Sequence, residues 1–437
     1  MAGCPFASRR GFLGAATGFV AALGTARAAD TAPANGVNPA GQAVGRRLQE
    51  PFFAPHQGGI VTARQNHTYF ATFDLVTDKP SDLVTLLRNW TAVAARLSRG
   101  EDAAAPAATQ DAPGTDTGET AGLDAARLTI TFGFGPGMFE HEGKDRYGLK
   151  AKRPEALVDL PKFNGDQLED ARTGGDLSVQ ACADDPQVAF HAVRQMARLA
   201  KGVAVLRWTQ TGFTPNAAAE DTPRNLMGFR DGTQNPVARR PTETAGGTTT
   251  TNPASLEDVV WVGDEGPAWM RNGSYMVVRR IRMALEHWDD TDVSFQEETI
   301  GRHKASGAPI GGKSEFDPID LDAMDADGNP LIAQTAHVRL AAAASNDGAQ
   351  LLRRAFSYND GTNITAERWP PWRQGLEYDA GLLFICYQRD PRASFIKMFE
   401  TMSKLDMLNQ YTTHTGSGLF AIPPGAEPGG FIGQGLF

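Results

Sequence analysis

An aspartate held in a tight turn between two glycines, with an arginine beside it, is the first place where this sequence could do chemistry. The segment runs Asn225-Leu226-Met227-Gly228-Phe229-Arg230-Asp231-Gly232-Thr233. Glycines let the backbone take positive φ and let another group come close. A carboxylate displayed between them can face a ligand or carry a proton. The plain alternative is an Asp-Gly turn whose acid bonds only its own backbone, so the segment has to be weighed with its partners.

Two other stretches supply partners. Ala336-His337-Val338-Arg339-Leu340 places an arginine two residues beyond a histidine, on the same side if the segment is extended. One imidazole nitrogen could then ligate iron while the cation meets an anionic group of a cofactor. Gln350-Leu351-Leu352-Arg353-Arg354-Ala355-Phe356-Ser357-Tyr358 reads as a strand. In it Arg353 and Arg354 point to opposite faces, one inward and one to solvent. An inward arginine needs an anion to offset its desolvation, and Asp231 is one candidate. The eight histidines form no HExxH or CxxCH pattern, and no GxGxxG loop is present. Zinc-protease, c-type haem and dinucleotide chemistry are disfavoured accordingly.

The elements that must position these residues follow a leader. Ser8-Arg9-Arg10-Gly11-Phe12-Leu13, an apolar run from Gly14 to Gly24, and Ala26-Arg27-Ala28 give a basic region, a short apolar region and a small-x-small cleavage site. This predicts a twin-arginine signal peptide over residues 1–28 and export, already folded, to the periplasm or another extracytoplasmic space. The apolar run is too short for a good membrane span, so none is expected in the mature chain. Cleavage would remove three arginines and no acid, making the formal charge of −9 more negative still. An acidic exported protein is a poor partner for nucleic acid or anionic lipid. Of three cysteines, Cys182 and Cys386 remain, in apolar strand-like runs, either as buried thiols or as a pair. Neither has the CxxC spacing of a redox or metal site.

Residues 29–55 read as a flexible leader, and 101–122 and Pro241 to Asn252 as low-complexity loop insertions. The ordered remainder repeats itself. Asn66-His67-Thr68-Tyr69 and Asn272-Gly273-Ser274-Tyr275 each precede a strand-like run, 206 residues apart. The strands ending near Ala183 and Gln388 each lead into Asp-Pro and a phenylalanine, 205 residues apart. Two offsets that agree argue for duplication. Each half has the order β-α-β-β-α-β, which predicts an α+β protein of two ferredoxin-like domains with antiparallel sheets, over 56–220 and 221–430.

Six collinear segments carry a resemblance. They are Gly228 to Thr233, Ile300-Gly301-Arg302, Gly307-Ala308-Pro309, Ala336 to Leu340, Leu352-Arg353-Arg354, and Gly381-Leu382-Leu383-Phe384-Ile385-Cys386-Tyr387-Gln388. With the leader, the chain resembles the dye-decolourising (DyP-type) haem peroxidases, in particular their exported, EfeB-like deferrochelatase/peroxidase branch. The resemblance implies one haem b per chain, seated in the C-terminal ferredoxin-like domain. It makes His337 the proximal iron ligand, Asp231 the distal acid–base residue and Arg353, the first of its pair, the distal arginine. Gly232, Thr233 and Gln234 would line the haem, and Asp379 would bond the other nitrogen of His337. Related sequences place an arginine in the loop after the histidine segment; here Ala341 to Asp347 has none. Arg339 or Arg230 is expected to take over contact with the propionates.

The activity so implied is reduction of hydrogen peroxide with oxidation of organic donors such as dyes or porphyrinogens. Asp231 would move a proton from one peroxide oxygen to the other, and Arg353 would stabilise the developing charge, with an acidic optimum. Tyr358, Trp369, Trp372, Tyr387 and Tyr411 are candidates to relay electrons from bulky donors at the surface. The alternative is a haem-binding protein that releases iron from haem, with haem as substrate and iron-uptake partners. A cofactor-free binding module is a third reading. A homodimer is compatible with all three.

Overall fold

The β-α-β-β-α-β order occurs twice. In the first half β1 (His67–Leu75) leads to helix α1 (Pro80–Leu97), then β2 (Thr129–Phe134), β3 (Leu177–Ala183), α2 (Pro186–Leu199) and β4 (Ala204–Phe213). In the second half α3 (Leu256–Val259) precedes β5 (Ser274–Met283), followed by α4 (Leu285–Trp288), α5 (Val293–Ile300) and α6 (His337–Ala341). Then come β6 (Leu352–Arg353), β7 (Phe356–Ala366), β8 (Gln374–Gln388), α7 (Lys397–Leu405) and β9 (Thr412–Ile422). This computed structural model describes residues 49–105, 114–215, 222–236, 256–366 and 374–437. The expected signal peptide, residues 29–48 of the leader, 106–113 of the first insertion, Pro241 to Asn252, and Trp369 and Trp372 lie outside the described residues.

The ladders between these strands are antiparallel. The first half is ordered β4-β1-β3-β2 and the second β9-β5-β8-β7, which is one topology used twice. The strands that carried the sequence repeat, β1 with β5 and β3 with β8, hold equivalent places in it. A single residue pair joins β2 to β9 (Phe134 with Ala421) and another joins β4 to β7 (Phe213 with Ser357). The two four-stranded sheets thereby close into a ring of eight strands, and β6 pairs with β8 beside it.

Side-chain period explains the layers. Successive residues on a strand face opposite ways. On β1, Phe70 joins one apolar cluster with Trp208, Met276, Val278 and Phe420, while Phe73 joins another with Trp90 and Phe132. Helix α1 begins at Pro80, where a missing N–H costs nothing, and buries Leu83, Leu86, Leu87, Trp90, Ala94 and Leu97 along one stripe. Helix α2 starts with the Asp-Pro signal: Asp185 accepts from the backbone N–H groups of Gln187 and Val188 at 2.7 and 3.2 Å. The matching Asp390-Pro391 opens instead a π turn, Arg392–Ile396, before α7. Cys182 and Cys386, on the two equivalent strands, are both free and fully buried, so the pairing alternative is not realised. No helix of the described residues is long and apolar enough to cross a membrane.

Candidate active site

The loop carrying Asp231 is held at every turn. Its backbone N–H donates to the Pro223 carbonyl at 2.8 Å, and Arg224 forms a bridge with Arg230. The Asn225 side chain accepts from the N–H groups of Met227 and Phe229, and Trp288 Nε1 donates to the Met227 carbonyl at 3.1 Å. Gly232 has φ +117°, a conformation that L side chains rarely adopt, and no atom lies within 3.5 Å of where its Cβ would be. Thr233 donates to Glu315 at 2.8 Å, and Arg230 pairs with the same carboxylate at 3.2 Å. Glu315 is therefore the buried anchor of this loop, and Arg230 is already partnered by it. Gln234 is exposed.

Arg353 reaches this loop from β6. Its Nη1 donates to Asp231 at 3.1 Å. Asn235 fixes the spacing by clamping the backbone of Arg353 twice, Nδ2 donating to its carbonyl at 2.8 Å and Oδ1 accepting from its N–H at 3.0 Å. The two adjacent arginines diverge, as the strand reading expects. Arg354 does not reach solvent, however: it is 4% exposed and bonds the Thr62 carbonyl and Gln65. A buried guanidinium is tolerated there because the N-terminal segment supplies acceptors.

His337 opens helix α6, and the extended reading of its segment fails. In a helix, residues two apart do not share a side, so Arg339 turns away and donates to the carbonyls of Ile332 and Leu321. The partner of His337 is also different from the one expected. Its Nδ1 lies 2.7 Å from the carboxylate of Asp406, which is 6% exposed and also caps the turn after α7. Asp379 is committed elsewhere, accepting from the buried Arg280 at 2.6 Å. Burial disfavours charge on His337, and the Asp406 carboxylate more than offsets this, so its pKa is raised above the ordinary value. Asp231 and Arg353 also act on that charge, with opposite signs, which puts all three groups within electrostatic reach.

One apolar cluster supports both sides. Met227 and Phe229 from the Asp231 loop pack with Met283, Trp288 and Ile300, and Val338, next to His337, packs against them. Gly301, at φ +87°, makes this possible, since a Cβ there would lie 2.5 Å from Val338. The site thus has a histidine with one nitrogen engaged by a carboxylate, and an Asp–Arg pair within its electrostatic reach. Asn235, Glu315 and Asp406 were missed from sequence. Tyr358 and Tyr387 are fully buried and offer no surface entry for electrons; Tyr411 packs edge-on against Trp288.

Family models for the N-terminal and C-terminal parts of Dyp-type peroxidases match residues 57–214 and 222–427. The chain is 40% identical to the dye-decolorizing peroxidase of Thermobifida fusca over 358 residues, covering 80% of this chain and 74% of that one. It is 33% identical to the deferrochelatase of Escherichia coli K12, covering 87% and 85%. Among solved structures, the DyP-type peroxidase of Streptomyces coelicolor superposes with a TM-score of 0.77 at 39% identity, covering 89% of this chain and 96% of that one. The chain belongs to the Dyp-type peroxidase family.

Proposed function

We propose that this protein is a haem b peroxidase that reduces hydrogen peroxide while oxidising organic donors, with the haem seated in the second half between His337 and Asp231. The observation that carries this is the His337–Asp406 pair. With Nδ1 engaged at 2.7 Å, Nε2 is the nitrogen left to ligate iron, and a hydrogen-bonded carboxylate makes the imidazole more electron-donating. The one-third exposure of the His337 side chain fits a flat cofactor entering between the two walls. Arg339 does not fit a propionate role, because its guanidinium is spent on carbonyls of its own loop.

The haem, when bound, supplies the iron that takes oxidising equivalents from peroxide. Asp231 accepts a proton from one peroxide oxygen and returns it to the leaving oxygen as water departs. Arg353 holds that carboxylate at 3.1 Å and stabilises the negative charge that develops as the O–O bond breaks. Asn235 and Glu315 keep the loop in register, so the acid does not reorganise during the step. Export by the signal peptide over residues 1–28 belongs to the same reading.

Haem-loaded Asp231→Asn tests it. Peroxide turnover is expected to fall by roughly 10²–10⁴ with an unchanged Soret band; undiminished turnover would remove Asp231 from the proton transfer. A second reading, release of iron from haem, is favoured by the relatives named deferrochelatase. Formation of metal-free porphyrin from haem without peroxide would support it.

A further inference from the structure

Away from His337 and Asp231, one cluster of metal-ligating side chains is found among the described residues. His191 on α2 meets Asp116 and Glu119 from the connection between α1 and β2, and one ligand atom from each lies within 4.8 Å of the others. His191 Nε2 stands 3.4 Å from an Asp116 oxygen, and Nδ1 stands 3.2 Å from a Glu119 oxygen. The imidazole is 2% exposed and the carboxylates 12% and 16%. The group shares no residue with the proposed haem site.

Two of its atoms are orphaned. His191 Nε2 and Glu119 Oε2 are buried without a hydrogen-bond partner among the described residues. Their neighbours are otherwise engaged. Asp116 accepts from the backbone N–H groups of Ala103 and Gly118, at 2.6 and 2.8 Å. Gln195 Nε2 donates to Thr117 at 2.5 Å and also stands 3.4 Å from the other Asp116 oxygen and 3.5 Å from His191 Nδ1, so it reaches neither bare atom. Arg194 reaches only the other Glu119 oxygen, at 3.3 Å, from a half-exposed position. An imidazole nitrogen and a carboxylate oxygen left bare together are both satisfied by one cation that accepts a lone pair from each. The geometry agrees: ligands about 2.0–2.1 Å from a tetrahedral ion stand roughly 3.4 Å apart, the separation seen between His191 and Asp116. A cavity of about 50 Å³ lies beside His191, with Glu101, Asp102 and Asp124 in its wall and no lysine or arginine. Asp116 and Glu119 do not line it, so the site is defined by its three ligand atoms and not by this cavity.

We propose that Asp116, Glu119 and His191 bind a divalent first-row metal ion, with Zn²⁺ and Mn²⁺ the probes suited to one imidazole and two carboxylates. The ion would tie the α1–β2 connection to α2. The test takes haem-loaded protein, strips it with chelator, dialyses it against Zn²⁺ or, in parallel, Mn²⁺, and measures retained metal by elemental mass spectrometry. Iron is read separately, so haem loading does not enter the result. Wild type is expected to keep one equivalent of at least one ion beyond what His191→Gln and Glu119→Gln keep, with all three showing the same Soret band. That ion should also raise the melting temperature of wild type and of neither variant. Equal retention by wild type and both variants overturns the proposal, as does retention of neither ion by wild type.

Discussion

In the first half of the molecule, the connection between the first helix and the second strand carries Asp116 and Glu119, and the second helix carries His191. In the second half, the corresponding connection carries His337, and Asp406 directly follows the second helix. Topologically equivalent segments therefore set a histidine against carboxylate in both halves, with the donors exchanged. What differs is the cover. α1 and α2 are long and press an amphipathic face onto the sheet, so His191 is closed in. The second half has only the short α4 and α5 before an excursion from residue 301 to 351, and its second helix opens with the π turn. There the imidazole keeps 31% of its side-chain surface. One fold, used twice, closes its connection in one half and opens it in the other.

The largest expected effect comes from removing the open histidine. His337→Ala should lose the Soret band on reconstitution and with it peroxide turnover; a retained wild-type spectrum would remove the ligand role and break the comparison. Asp406→Asn should keep haem but bind it roughly 10–100-fold more weakly, as loss of a ligand's carboxylate partner does, read by haem transfer to an apo-globin. His414 sharpens the difference between the halves through pH. Buried beside Arg279, which donates Nε–H to its Nδ1 at 2.9 Å, it has a pKa depressed well below the ordinary 6.5. The unfolded chain therefore takes up this proton first, and the contribution is full above pH 6.5 and lost as pH falls below it. Wild-type stability should carry an acid slope of up to about 1.4 kcal/mol per pH unit from this group, absent from His414→Gln in urea titrations. The smallest effect belongs to the closed half: Asp185→Ala should cost about 1 kcal/mol through the lost cap of α2 and leave the Soret band unchanged.

The candidate residues of the second half were legible because each sits in a short motif. Asp231 lies between glycines, and Arg353 begins a doublet whose members must diverge on a strand. The repeat was legible too, since β1 and β5 share an Asn-x-x-Tyr start and β3 and β8 are each followed by Asp-Pro. The conformation around His337 was not: a five-residue helix is too short for any period to appear. Asp406 was hidden because it lies 69 residues from the imidazole it bonds, whereas Asp379 looked apt from its place just before the Gly381-Leu382-Leu383 run. Only the fold reveals that Asp379 is needed by Arg280, a cation at 1% exposure. Glu315 and Asn235 looked like ordinary loop polar residues, because anchoring leaves no spacing signal.

The two buried cysteines bear on how long such a molecule lasts. Peroxide attacks sulfur as thiolate, and the damage climbs irreversibly beyond the first oxidation. Burial raises the pKa of Cys386, and both thiols have no exposed surface. Among its described residues, a protein bathed in its own oxidising substrate thus offers that substrate no exposed thiol.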